Sequence, residues 1–209
     1  MVNVAVFASG SGSNLQALLD AEVQGTLEAH VRLVISNKAT AGALERAQRP
    51  GCEGFHLSPR QFETEAAYVE QLSALLRSRA IGLICLAGYL KKLPAELVAE
   101  YEGRVLNIHP APLPRFGGAG MYGDRVHQAV LAAGVKQSGP TVHFVDLEYD
   151  TGPIAAHMSV PVEKGDTALS LAARVLEAEH RLYPRVVAAV AGGRLRLENG
   201  KVVGSLDAS

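Results

Sequence analysis

Apolar residues come in short blocks separated by segments of helical period, starting at the first residue. Val2–Ala8 is an apolar, β-branched run that predicts a strand. After the Gly/Ser stretch 9–13, Leu15, Leu18 and Leu19 recur at i, i+3 and i+4 and predict a helix. His30–Ser36 reads as a strand, and Ala43–Gln48 as a short helix ended by Pro50-Gly51. Thr64–Arg79 places Tyr68, Leu72, Leu75 and Leu76 on one stripe of a helix; Ile81–Leu86 is a buried strand. Pro94–Glu102 is a helix with Pro in its first turn, and Arg104–Ile108 a strand. This alternation, with nearly continuous apolar strands, predicts an α/β fold: an open, mostly parallel twisted sheet with helices on both faces.

The second half is less regular. The loop Pro110–Gly123 carries Pro112, Pro114 and four glycines before a short helix at Asp124–Ala133. Thr141–Val145 and Ile154–Val162 read as strands joined by the acidic loop Asp146–Pro153, and a long helix spans about Ala168–Val190. Arg194–Glu198 and Lys201–Val203 flank Asn199-Gly200, a strong signal for a C-terminal β-hairpin. Neither a repeat nor a linker interrupts the pattern, so a single domain is expected over 1–209.

Composition narrows the function classes. Twenty Lys and Arg stand against 21 Asp and Glu, a formal charge of −1, with 48% apolar residues. That excludes a disordered chain and argues against a nucleic-acid partner, since no basic footprint exists to displace counterions. Lys91-Lys92 is too small a patch to change this. Cys52 and Cys85 make neither a CxxC pair nor a disulfide framework, which predicts a reducing cytoplasm. The N-terminal residues lack the basic region of a signal peptide, and the longest apolar run, Ile81–Leu90, is about half a membrane span. A soluble protein without membrane attachment is expected.

Four places carry candidate chemistry. The turn Ser9–Ser13 joins the first strand to the first helix, where glycines permit a sharp turn and free N–H groups bind an anion. Leu15 replaces the third glycine of a dinucleotide fingerprint, and no Gly-Lys-Ser/Thr follows. What remains is a single-phosphate site, with Ser13 and Asn14 adding donors; an ordinary Gly-rich turn is the competing reading. Second, Asn107 and His109 share one side of a strand that Pro110 stops. An amide and an imidazole there suit a carbonyl oxygen gaining charge, against a structural His and a turn-capping Asn. Third, in the stretch His143–Gly152, Asp146, Glu148 and Asp150 follow a strand and precede the Gly152-Pro153 turn. Asp146 and Glu148 read best as a solvated loop. Asp150 is the better functional candidate, expected to raise the His109 pKa and keep a protonated imidazole near neutrality. Fourth, Glu179 lies among Val175, Leu176, Leu182 and Tyr183 on or beside the apolar stripe of the long helix, where a carboxylate needs a partner such as an amine, unless it reaches water. The seven histidines form no cluster of ligand spacing, and the acidic loop lacks the remaining ligands of a calcium loop, so no metal is expected.

Together these pieces give the chain a family likeness. Along nearly its whole length it resembles the folate-dependent formyltransferases, and within them the glycinamide ribonucleotide branch. The motifs that carry the likeness are ASGSGSNLQALLDA, ISNKATAGALERA, ICLAGYLKKL, NIHPAPLPRF, HFVDLEYDTGPI and ARVLEAEHRLYP. The resemblance implies a Rossmann-like formyltransferase fold and transfer of a formyl group from the co-substrate 10-formyltetrahydrofolate to the amine of 5-phosphoribosylglycinamide. It further implies catalysis by Asn107, His109 and Asp150, with His109 as general acid. The substrate phosphate would be held by Gly12, Ser13 and Asn14, and its amine by Glu179. Folate would contact Leu90, Lys91, Lys92, Leu93, Asn107 and Asp146. Phosphate binding would then fall to residues 1–100, with catalysis and folate binding in 101–209.

Several positions depart from the common pattern: Ala111-Pro112, the longer loop Phe116–Arg125, Glu65 in place of a folate-contacting arginine, and Leu176 in place of a glutamine near substrate. None is among the three catalytic candidates. Small-molecule substrates are the expected partners, for a monomer or homodimer. A formyltetrahydrofolate hydrolase and a methionyl-tRNA formyltransferase would each be expected to carry a further domain. A non-catalytic mononucleotide- or phosphosugar-binding module is the rival from another class.

Overall fold

The computed structural model describes residues 1–206; the last three positions of the expected domain lie outside the described residues. The central sheet has seven strands in the order β3-β2-β1-β4-β5-β7-β8. These are β1 (Val2–Phe7), β2 (Ala29–Ser36), β3 (Glu53–His56), β4 (Ile81–Leu86), β5 (Val105–His109), β7 (Thr141–Phe144) and β8 (Ile154–His157). The first five in that order pair in parallel, while β7 and β8 run antiparallel to their neighbours. Two two-residue strands, β6 (Gln137–Ser138) and β9 (Val160–Pro161), form a separate ribbon.

Alternation along the strands sorts the core into two layers. Val4, Val6, Leu83, Cys85 and Leu106 face helices α1 (Ser13–Val23), α2 (Gly42–Arg46) and α6 (Ala168–Ala191). Ala5, Phe7, Ile84, Leu86 and Val105 face α3 (Glu65–Ser78) and α4 (Ala95–Glu100). A third cluster packs α5 (Asp124–Ala132) against the first half of α6, together with Ala111 and Phe116. The C-terminal hairpin forms as its turn dipeptide predicts: β10 (Leu195–Glu198) and β11 (Lys201–Gly204) flank Asn199 and Gly200, both with positive φ.

Two expectations need correction. The run Ile154–Val162 is not one strand. It follows β7 only to the Thr141↔His157 pair, then Met158 N–H bonds to the Pro140 carbonyl, and Val160–Pro161 joins β6 instead. The edge strand β3 has no counterpart in the hydrophobic pattern, because its residues Glu53 and Gly54 are exposed.

The topology places the site. The sheet is built outward from β1, with β2 and β4 on opposite sides of it, so a crevice opens beyond the C-terminal ends of β1 and β4. Ser9 ties its walls together, its N–H bonded to the Gly88 carbonyl and its hydroxyl accepting from Leu90 N–H at 2.9 Å.

Candidate active site

Beyond these strand ends lies a cavity of about 260 Å³. Its lining brings together Asn14 and Glu179, the trio Asn107, His109 and Asp150, and parts of segments 88–93 and 145–149. Three of the four candidate places thus meet in one space.

The pairing of β5 with β7 sets the centre. Asn107 lies opposite His143 in the register, and His109 opposite Thr141. The Asn107 amide donates to His143 Nε2 at 3.0 Å and to Asp150 Oδ1 at 3.3 Å. His143 can accept there because its Nδ1–H donates to the Phe144 carbonyl at 2.9 Å. His109 Nε2–H donates to the Phe116 carbonyl at 2.8 Å, which turns Nδ1 toward Asp150 Oδ2, 3.5 Å away. Asp150 Oδ2 also accepts from Gly118 N–H at 3.0 Å. The Asp150 backbone is left-handed, φ 58, a conformation that short polar side chains tolerate better than most. That twist is how the acidic loop turns the Asp150 carboxylate inward.

Burial pushes the Asp150 carboxyl up, but His143, His109 and the Gly118 N–H together hold it below the usual carboxylate range. His109 corrects the sequence reading. Burial disfavours its cation by more than Asp150 and the Phe116 carbonyl support it, so its pKa lies below the ordinary imidazole value. At neutral pH the pair is therefore an ionised Asp150 beside a neutral His109.

Elsewhere in the lining Asn14, in the first turn of α1, donates to Glu179 Oε2 at 2.5 Å. Burial pushes the Glu179 carboxyl up to about 7, only partly offset by that bond. Gly12 caps α1 in left-handed conformation, φ 76, and no side chain caps that end, so the first N–H groups of the helix are left for an anion. Ser13 lines a neighbouring groove along α1 rather than this cavity. Leu90–Leu93 do line this cavity, and there Lys92 Nζ sits 3.5 Å from Glu148 Oε2 and 5.8 Å from the Tyr149 ring. Asp146 also lines it, but its carboxylate already accepts from the Thr151 hydroxyl and Glu148 N–H and so organises its own loop.

A family model described as formyl transferase matches residues 2–187. The chain belongs to the formyl transferase family. This formyl transferase is 39% identical over 196 residues to phosphoribosylglycinamide formyltransferase of Escherichia coli (strain K12), covering 94% of this chain and 90% of that one. It is 43% identical over 192 residues to the chloroplastic phosphoribosylglycinamide formyltransferase of Vigna unguiculata, covering 92% of this chain and 62% of that protein's length. Glycinamide ribonucleotide transformylase 1 from Symbiobacterium toebii superposes with a TM-score of 0.89 at 40% identity, covering 97% of this chain and 93% of that one.

His143 was singled out by no sequence argument, because its relation to Asn107 exists only through the antiparallel register. Nor did sequence reasoning find the Phe116 carbonyl and Gly118 N–H, which are backbone groups. Among the described residues of this formyl transferase, no group of three or more His, Cys, Asp or Glu could hold a metal ion.

Proposed function

We propose that the chain transfers the formyl group of 10-formyltetrahydrofolate to the amine of 5-phosphoribosylglycinamide, a step of purine biosynthesis. The observation that carries this reading is the one cavity whose lining brings together Asn107, His109 and Asp150, the buried carboxylate of Glu179, and Leu90–Leu93 with Asp146, Glu148 and Tyr149. A plain binding module has no need of that convergence.

Each group has a task. The substrate phosphate sits on the turn at Gly12, Ser13 and Asn14, and its amine reaches Glu179. With a pKa of about 7, Glu179 is matched to take a proton from an ammonium of the α-amino type, whose ordinary pKa is about 8. The freed amine attacks the formyl carbon, whose oxygen becomes an oxyanion. Of the two Asn107 bonds, the longer one to Asp150 is the one that oxygen replaces. His109 supplies the second donor once its Nε2–H leaves the Phe116 carbonyl. Negative charge growing beside the imidazole favours its cation, and Asp150, facing Nδ1, supports that cation as it forms. The attacking nitrogen, now cationic in the adduct, gives up its second proton to His109 through a water held by Asp150. The bond from carbon to folate N10 then breaks, and N10 leaves with that same proton, returned by His109 or the water.

The chain works as one unit in this scheme, since residues 1–100 supply the phosphate turn and one folate wall, and 101–209 the catalytic groups and Glu179. All the catalytic groups come from one chain, so a monomer or homodimer suffices. Two buried free cysteines suit a cytoplasmic setting, and the near-neutral charge leaves small molecules as partners without nucleic acid. Among the described residues no helix is long and apolar enough to cross a membrane.

Following formyl release with and without the ribonucleotide tests the reading. Formylated ribonucleotide supports it, release to water alone makes the chain a hydrolase, and an unchanged folate makes it a binding module.

A further inference from the structure

The turn before α1 takes its orientation from α2. Arg46, at the end of that helix, donates Nε–H to the Ser11 carbonyl at 2.8 Å and an Nη1 hydrogen to Gln16 Oε1 at 2.7 Å. From the start of α2, Ala43 N–H donates to the Gly10 carbonyl at 3.2 Å. In a planar trans peptide a carbonyl and the following N–H point in opposite directions. Anchoring the Gly10 and Ser11 carbonyls on α2 therefore turns the N–H groups of Ser11 and Gly12 away from it. Two successive donors facing one side form an anion-binding concavity. The contact is tight: a Cβ at Gly12 would lie 2.8 Å from Ala43 Cα and 3.2 Å from Arg46 Cδ. Arg46 also shares an open groove along α1 with Ser13 and Gln16, so its charge stands on the solvent side of the helix start.

We infer that Arg46 is a positioning residue for the phosphate of the acceptor substrate. It fixes the peptide unit between Ser11 and Gly12 so that the N–H faces the anion, and it sets a permanent cation beside the turn. This makes α2 part of the specificity for a phosphate monoester over an uncharged sugar, although no side chain of α2 lines the cavity. The inference rests on the phosphate reading of the turn given above.

The test compares KM for glycinamide ribonucleotide with KM for its dephosphorylated riboside in the full chain, for wild type, Arg46→Ala and Arg46→Lys. In Arg46→Ala the ribonucleotide KM rises about tenfold, equivalent to about 1.4 kcal/mol, while KM for the riboside and for the folate moves less than twofold. Arg46→Lys recovers part of the loss, because it restores the charge but not the two-pronged donor. Thermal melts separate local from global effects, and the exposed Arg46 side chain predicts a small change in Tm. An equal KM rise for both acceptors, or none for either, overturns the role of Arg46. A wild type that does not distinguish the two acceptors overturns the phosphate reading of the turn and this inference with it. A wild-type preference that Arg46→Ala retains overturns this inference alone.

Discussion

Asn14 and Glu179, 165 positions apart, meet at 2.5 Å in the buried wall of the cavity. The bond joins the first turn of α1 to the middle of α6, so the phosphate end and the amine end of the proposed acceptor site are one rigid piece. It also leaves Asn14 Oδ1 without a hydrogen-bond partner among the described residues, in a place where a polar ligand supplies one. Glu179 is 7% exposed, and its ionisation works against the fold.

That yields a pH prediction. The folded-state pKa of about 7 is above the ordinary 4.5, so the folded chain holds an extra proton between those values. The contribution of the neutral carboxyl is full below pH 4.5 and is lost as pH rises through 7. Glu179→Gln matches wild-type stability near pH 4.5 and exceeds it above pH 8 by about 3 kcal/mol. Urea unfolding across that range checks this; parallel curves for the two proteins refute it.

Asp150→Asn removes the charge facing His109 Nδ1 yet keeps a residue that accepts φ 58. Single-turnover formyl transfer drops roughly 10²–10⁴-fold, while dissociation constants for both substrates stay within a few fold. Near-wild-type turnover rejects the proposed role.

Gly117 lies against the Asp150 side chain. A Cβ there would run into Leu113 Cδ2 and come 2.8 Å from Asp150 Cβ. Gly117→Ala displaces Asp150, the less compliant neighbour, because the end of a Leu side chain can rotate away. A kcat lowered about tenfold, about 1.4 kcal/mol, with a Tm shift of a few degrees is the expected outcome. A variant that loses stability but keeps kcat shows that Leu113 alone gave way.

His127 on α5 is 4% exposed, and its Nδ1 has no partner among the described residues. Burial lowers its pKa below 6.5, opposed only in part by Asp124. The unfolded chain therefore binds the proton more readily, and the stability tied to neutral His127 is full above pH 6.5 and lost as pH falls through the folded value. His127→Leu flattens that acid limb, with melting curves at pH 5 and pH 8 closer together than in wild type. An unchanged gap between the two pH values refutes it.

Much of the fold was legible because each strand and helix carries its own signature. The apolar run of β4, the i, i+3, i+4 leucines of α1 and the Asn-Gly of the hairpin are local patterns that burial and turn geometry impose on nearby residues. Strand β3 was not legible. Its pairing with β2 is made by backbone groups, and Glu53 and Gly54 give no apolar signal. The break at Met158 follows from where β7 ends, which no local pattern records.

Residue chemistry by itself determined that Asn107 and His109 share a strand end, that Asp150 adjoins a turn, and that Glu179 is out of place on its helix. Only the tertiary structure decided the rest: that β7 returns antiparallel to bring His143 to Asn107, that Phe116 and Gly118 lend backbone groups to His109 and Asp150, and that burial outweighs Asp150 in setting the charge of the imidazole. The division has a physical reason. Periodicity and turn propensity act over a few residues, whereas desolvation and register depend on every segment packed around a group.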